Sequence, residues 1–184
     1  IATVSVLSAI TTAWLGASVI RFFSVHKKQG NLNKFYSTVI KLALVSALSV
    51  FFVLVGIMIF ARGYFPEDFY SLMQIGGLLF LISAFYSVLL STLRAKRKVT
   101  HYSFFTIWRS ITGIGLGIIL VIAFHYGVRG LLWGEFMSMI IIFPLLYKTA
   151  VGKLHLKYGK IHSIMTREMA KYGFPIAIVN IATW

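Results

Sequence analysis

Apolar residues run through this chain in long unbroken blocks, and polar residues collect between them. Crossing the roughly 30 Å hydrocarbon core of a bilayer takes an α-helix of about 20 residues. Five blocks are of that order: residues 1–20, 42–60, 72–93, 110–128 and 130–147. A sixth apolar run begins near Tyr172 and reaches Trp184. None alternates apolar with polar positions, and each is about twice the length of a barrel strand, so the pattern predicts helices. Helices also satisfy their backbone hydrogen bonds internally, as a lipid-facing chain must. The expected fold is all-α, a polytopic transmembrane helical bundle.

The polar connections test this assignment independently. Lys and Arg are expected to gather in cytoplasmic loops, so the counts should alternate from one connection to the next. Residues 21–41 hold five, 61–71 one, 94–109 five, 125–129 one and 148–171 six, which together account for all 18. A missed or surplus helix would break the alternation. The pattern predicts that residues 1–20 enter from outside, that the basic loops are cytoplasmic, and that the protein sits in the cytoplasmic membrane. Residues 148–171 form the longest connection. Its end, Ser163 to Tyr172, predicts a short surface helix capped by Ser163 and closed by Gly173, ahead of Pro175. The chain opens at Ile1 without an initiator Met and stops as its sixth run begins, so a piece of a longer protein is expected. Residues 1–20 lack the basic start and small-residue cleavage site of a signal peptide.

Composition narrows the functional classes. Hydrophobic residues make up 59% of the chain and charged ones 12%, with a mean hydropathy of +0.87. That is more apolar surface than a soluble core of this size hides. The net charge of +14 would suggest nucleic acid in a soluble protein. Here the cations lie between apolar runs, which points to anionic membrane lipid as their partner and leaves no soluble domain to bind nucleic acid. Cysteine is absent, which removes disulfides and thiolate metal sites. His26, His101, His125, His155 and His162 show no metal-ligand spacing, and no cofactor-binding or hydrolytic motif is present.

A few residues carry candidate chemistry. Glu135 is the one acid inside an expected span, where a carboxylate is costly unless paired, protonated or facing water. It is either held by Arg129 or by another helix, or it is a proton or cation site coupled to transport. Arg21 and Arg109 fall at the expected cytoplasmic ends of their helices; they either snorkel to the interface or grip a phosphate bidentately. Pro144 removes a backbone hydrogen bond near the end of the fifth span and is a candidate bend, as is Pro175. Gly113, Gly115 and Gly117, with Gly130 and Gly134, read as close helix packing through small residues. Glu67 and Asp68 read as a solvated helix start.

Three segments carry a family resemblance. TAWLGASVIRFF from Thr12 to Phe23 looks like the end of the second helix of the polysaccharide-biosynthesis flippases, the O-antigen-type exporters of the MOP superfamily. HYGVRGLLWG from His125 to Gly134 is similar to their turn between helices five and six, and KYGFP from Lys171 to Pro175 to the entry of helix seven. The resemblance implies most of the N-terminal lobe of a two-lobed transporter over residues 1–171, with the second lobe beginning at 172–184. It also implies a cationic cavity that takes a polyprenyl diphosphate-linked oligosaccharide, with Arg21 and Arg109 at similar positions to basic residues of the family. Glu135 departs from the pattern, in which that position is uncharged.

The expected function is a flippase, not an enzyme, moving lipid-linked oligosaccharide by alternating access beside the polysaccharide assembly machinery, with H+ or Na+ as coupling ion. The alternatives are a MATE-type cation antiporter, which calls for acids in the lobe, and a membrane-embedded glycosyltransferase or ligase, which calls for longer outside loops.

Overall fold

The structure, a computed structural model, describes residues 2–60, 67–152 and 163–182, without the side chains of residues 2–10, 67–69, 164 and 177–182. Among these residues the chain is all-α: α1 (Ala2–Lys28), α2 (Leu32–Phe60), α3 (Glu67–Ala95), α4 (Val99–Ile122), α5 (Gly127–Val151) and α6 (Ser163–Ala182). Among the described residues four helices are long and apolar enough to cross a membrane: α2, α3 from Tyr70, α4 and α5. They identify a membrane protein. The expected first span lies on α1, and the side chains of its first half lie outside the described residues.

Several helices extend beyond the apolar blocks. α2 starts at Leu32 rather than at residue 42, and α4 runs from Val99 to Ile122 rather than over 110–128. Lys and Arg are good helix formers, so polarity does not end a helix; backbone geometry does. Gly30 (φ 70°) and Arg97 (φ 56°) take the left-handed conformation that closes α1 and α3. At the second turn, the Arg97 N–H donates to Arg94 O at 2.9 Å and the Lys98 N–H to Leu93 O at 3.0 Å. A three-residue link of this kind sends α4 back antiparallel to α3.

The short surface helix expected over 163–172 is not what forms. α6 continues through Gly173 and Pro175. Gly173 is a contact point with α1, not a stop: a Cβ there would lie 2.6 Å from Ser18 Oγ and 2.8 Å from the Trp14 carbonyl carbon. The Ser18 hydroxyl bonds Met169 O at 2.7 Å, and Trp14 stacks on Phe174 at 5.6 Å. This docking holds the segment helical although Pro175 withholds one backbone bond. α5 likewise continues through Pro144.

α3 is the axis of the fold. Its apolar window is 61% buried, against 17% for those of α2 and α4, because helices pack on both of its sides. One core joins Leu79, Tyr86 and Leu93 of α3 to Phe105 of α4 and Met139 and Leu146 of α5. The other joins Val88 of α3 to Leu15 and Val19 of α1, Phe35 and Tyr36 of α2, and Met169 of α6. α4 instead exposes Ile107, Ile111, Ile114, Ile118 and Ile122 along one stripe, a lipid-facing surface in a membrane protein.

The links place the ends of α1, α3 and α5 beside the starts of α2 and α4. This end of the bundle carries Lys27, Lys28, Lys34, Arg94, Lys96, Arg97 and Lys98. Lys96 ties it together: its ammonium bonds Ala150 O in the last turn of α5 at 2.5 Å and lies 5.3 Å from the Tyr36 ring centroid. A cation on the last carbonyls of a helix also meets the negative end of its dipole.

Candidate functional site

α4 and α5 touch backbone to backbone. Phe105, Arg109, Gly113 and Gly117 recur every four residues on the inner face of α4, and Gly130, Gly134 and Ser138 do so on α5. A Cβ at Gly134 would lie 2.5 Å from Gly117 Cα and 2.9 Å from Gly113 O; one at Gly130 would lie 3.1 Å from Val121 N. Gly115, which points away, has open space around it. The sequence reading of close packing therefore holds for Gly113, Gly117, Gly130 and Gly134, and Gly115 belongs to the exposed face.

This seam delivers two charges to each other. The Arg109 guanidinium donates to Glu135 Oε1 at 2.6 Å, with the two side chains 27% and 15% exposed. Of the two partners anticipated for Glu135, the structure provides the one on another helix, and the partner is Arg109. Arg109 is not at a helix end. By the 1.5 Å rise per residue it lies about 15 Å along α4, which is about 36 Å long. The apolar block began one residue after it, which made a mid-helix arginine look terminal.

Neighbouring groups fix the pair. The Tyr86 hydroxyl donates to Phe105 O at 2.7 Å, one turn before Arg109, and the Tyr86 ring centroid lies 5.8 Å from the guanidinium carbon. On the α5 side, Ser138 Oγ donates to Glu135 O at 2.8 Å, and Trp108 Nε1 donates to Ser138 O at 3.3 Å. An Arg in a low-dielectric interior needs a compensating charge, and a single carboxylate at hydrogen-bond distance supplies it.

The pair lines a cleft of about 550 Å³ between α3, α4 and α5, walled also by Tyr102, Thr106, Ser110, Leu131 and Leu90. A second cavity, of about 330 Å³, lies between α1 and α3, with Arg94 on its wall. Leu90 lines both.

Arg21 stands elsewhere. It is exposed on α1, its guanidinium carbon 4.0 Å from the Tyr172 ring centroid and 5.9 Å from that of Phe22. It clamps the α1–α6 seam and lines neither cavity. The structure thus brings Arg109 to Glu135 and leaves Arg21 apart from them. Pro144 is exposed on α5 and touches neither cavity. Among the described residues no cluster of His, Asp or Glu is placed to hold a metal ion; His155 and His162 lie outside them. Sequence reasoning passed over Arg94, Tyr86 and Tyr102. The four-residue register shared by Leu90 and Arg94 was the available signal that Arg94, though exposed, lies on the same helix face as Leu90.

Comparison with family models, with curated proteins and with solved structures returns no match.

Proposed function

We propose that this chain is part of a transporter that moves an anionic lipid-linked substrate, a polyprenyl diphosphate-linked oligosaccharide, across the cytoplasmic membrane by alternating access. Its basic end faces the cytoplasm in this reading. The observation that carries it is Arg109, a half-buried guanidinium near the middle of a membrane-length helix, lining an open cleft of about 550 Å³. An intramembrane ionisable residue is a functional group by default, because holding it there is costly. A guanidinium binds phosphate oxygens in a planar fork that no other side chain reproduces.

Glu135 sets the terms of that binding. A diphosphate that takes the Arg109 nitrogen now bonded to Glu135 displaces the carboxylate, so in this reading substrate entry competes with the ion pair. Opening the pair exposes a charged group on each side, which ties the empty state to a closed arrangement and the loaded state to a different one. The cation-antiporter reading gains nothing from this geometry, since Arg109 already occupies the carboxylate that a cation would need.

The test is movement of a fluorescent lipid-linked sugar in reconstituted vesicles. Arg109→Gln is expected to lower the rate at least tenfold, and Arg109→Lys to recover only part of it, because Lys offers a point charge in place of a fork. Equal rates for wild type and Arg109→Gln would remove the proposal.

A further inference from the structure

The transport reading leaves the cavity between α1 and α3 unused. It extends from Arg94 and Ile20 near the basic end to Thr12 and Ser87, about 12 Å deeper by helical rise. Hydroxyls from both helices meet in it: Thr12 from α1, Ser87 and Ser91 from α3. Gly16 brings α1 close, since a Cβ there would lie 2.7 Å from Ser91 Oγ. Helix packing alone calls for small residues at such a seam, but not for an arginine on the wall.

Arg94 differs from Arg109 in its partners. Its guanidinium carbon lies 4.4 Å from the Tyr102 ring centroid, and one of its nitrogens donates to the Tyr102 hydroxyl. Among the described residues no carboxylate pairs with it. A guanidinium carries five N–H donors, so a single phenolic oxygen leaves most of them to water at this exposed position. An exposed arginine on the wall of a hydroxyl-lined cavity of about 330 Å³ can exchange that water for an oxyanion.

We infer that the α1–α3 cavity is a second anion site, which takes a phosphate group, with Arg94 as its binding residue and Thr12, Ser87 and Ser91 as its hydroxyl lining. It stands independently of the role proposed for Arg109. The two sites are nonetheless adjacent: Leu90 is their common wall, and Tyr102 grips Arg94 while lining the Arg109 cleft. Tyr102 and Arg109 are seven residues apart on α4, about 10 Å along its axis. The Arg94 site is the one nearer the basic end. Its phosphate comes either from a membrane lipid headgroup or from a diphosphate-bearing solute.

The chain contains no cysteine, so a single Ser87→Cys substitution in the full chain reports on the cavity through its rate of modification by a small methanethiosulfonate reagent. In phosphatidylcholine nanodiscs, inorganic pyrophosphate is expected to slow the modification if the site takes a solute head. Phosphatidic acid added to the nanodiscs is expected to slow it if the site takes a lipid. Either result supports the site, and the arm that responds names the source. Adding Arg94→Gln should weaken the effective probe about tenfold or more, a loss of one charge-assisted bidentate contact. Adding Arg109→Gln should leave protection in place, which separates this site from the transport proposal. Ala17→Cys, on the α1 wall, is a second reporter should Ser87→Cys not fold. Modification that neither probe slows, or protection that survives Arg94→Gln, would overturn the inference.

Discussion

The glycine seam between α4 and α5 makes a prediction whose sign is set by geometry. In Gly134→Ala the new methyl would lie 2.5 Å from Gly117 Cα and 2.9 Å from Gly113 O, where ordinary contact begins at 3.4 Å. Both neighbours are backbone, so no side chain can swing aside, and the helices must separate by at least the 0.9 Å difference between 2.5 and 3.4 Å. A gap of 0.5–1 Å forfeits roughly a quarter to a half of each dispersion contact it opens. The contacts at risk are Gly113 with Ser138, Gly117 with Leu131 and Gly130 with Val121. Overpacking of this kind costs about 1–3 kcal/mol, and a backbone clash belongs at the upper end. Gly115→Ala is the control: its Cβ meets nothing within 4 Å, and exchanging an interior helical glycine for alanine gains about 1 kcal/mol. The two substitutions should therefore differ by about 3–4 kcal/mol, with opposite signs relative to wild type. Unfolding of purified protein in mixed micelles, titrated with a denaturing detergent and followed by circular dichroism, measures the difference. A Gly134→Ala protein as stable as Gly115→Ala would refute the account of the seam.

Two further predictions concern charges. Glu135→Gln leaves Arg109 without its carboxylate, and the Arg109→Gln, Glu135→Gln double variant should lose less stability than the sum of the two single variants; the double-mutant cycle in the same assay should give a coupling of about 1–3 kcal/mol, and a value near zero would mean the pair contributes nothing to the fold. Lys96 lies just beyond α3, and burial first, then the charge of Lys98, holds its ammonium below the ordinary value of 10.5. Between that lowered value and 10.5 the unfolded chain keeps a proton that the folded chain has released, so stability from this group rises with pH across that window and is flat below it. In Lys96→Met that rise should be missing from the pH profile, and the protein should lose about 1 kcal/mol near neutrality as Ala150 O loses its donor.

The residues themselves explain how much of this was legible beforehand. Apolar block length predicts helices because it is a property of local stretches, and α2, α3, α4 and α5 lie over four of the expected blocks. Helix ends were less legible. The apolar blocks stop at charges, whereas helices stop where the backbone turns left-handed, as at Gly30 and Arg97. That difference misplaced Arg109, and it concealed Arg94 among what seemed to be loop cations. The family resemblance grouped Arg21 with Arg109 as substrate ligands, and the fold separates them onto different seams.

Sequence alone determined the all-α class, the membrane character and the gathering of cations at one end, since each follows from the order of side chains and the length of apolar runs. Tertiary structure alone decided who meets whom. Nothing local to Arg109 specifies Glu135, 26 residues away; their contact exists because Gly117 and Gly134 have no side chains to keep α4 from α5. Nor does Gly173 declare itself locally. It has the look of a helix stop, and only the α1 backbone pressed against it turns the same residue into the middle of a helix.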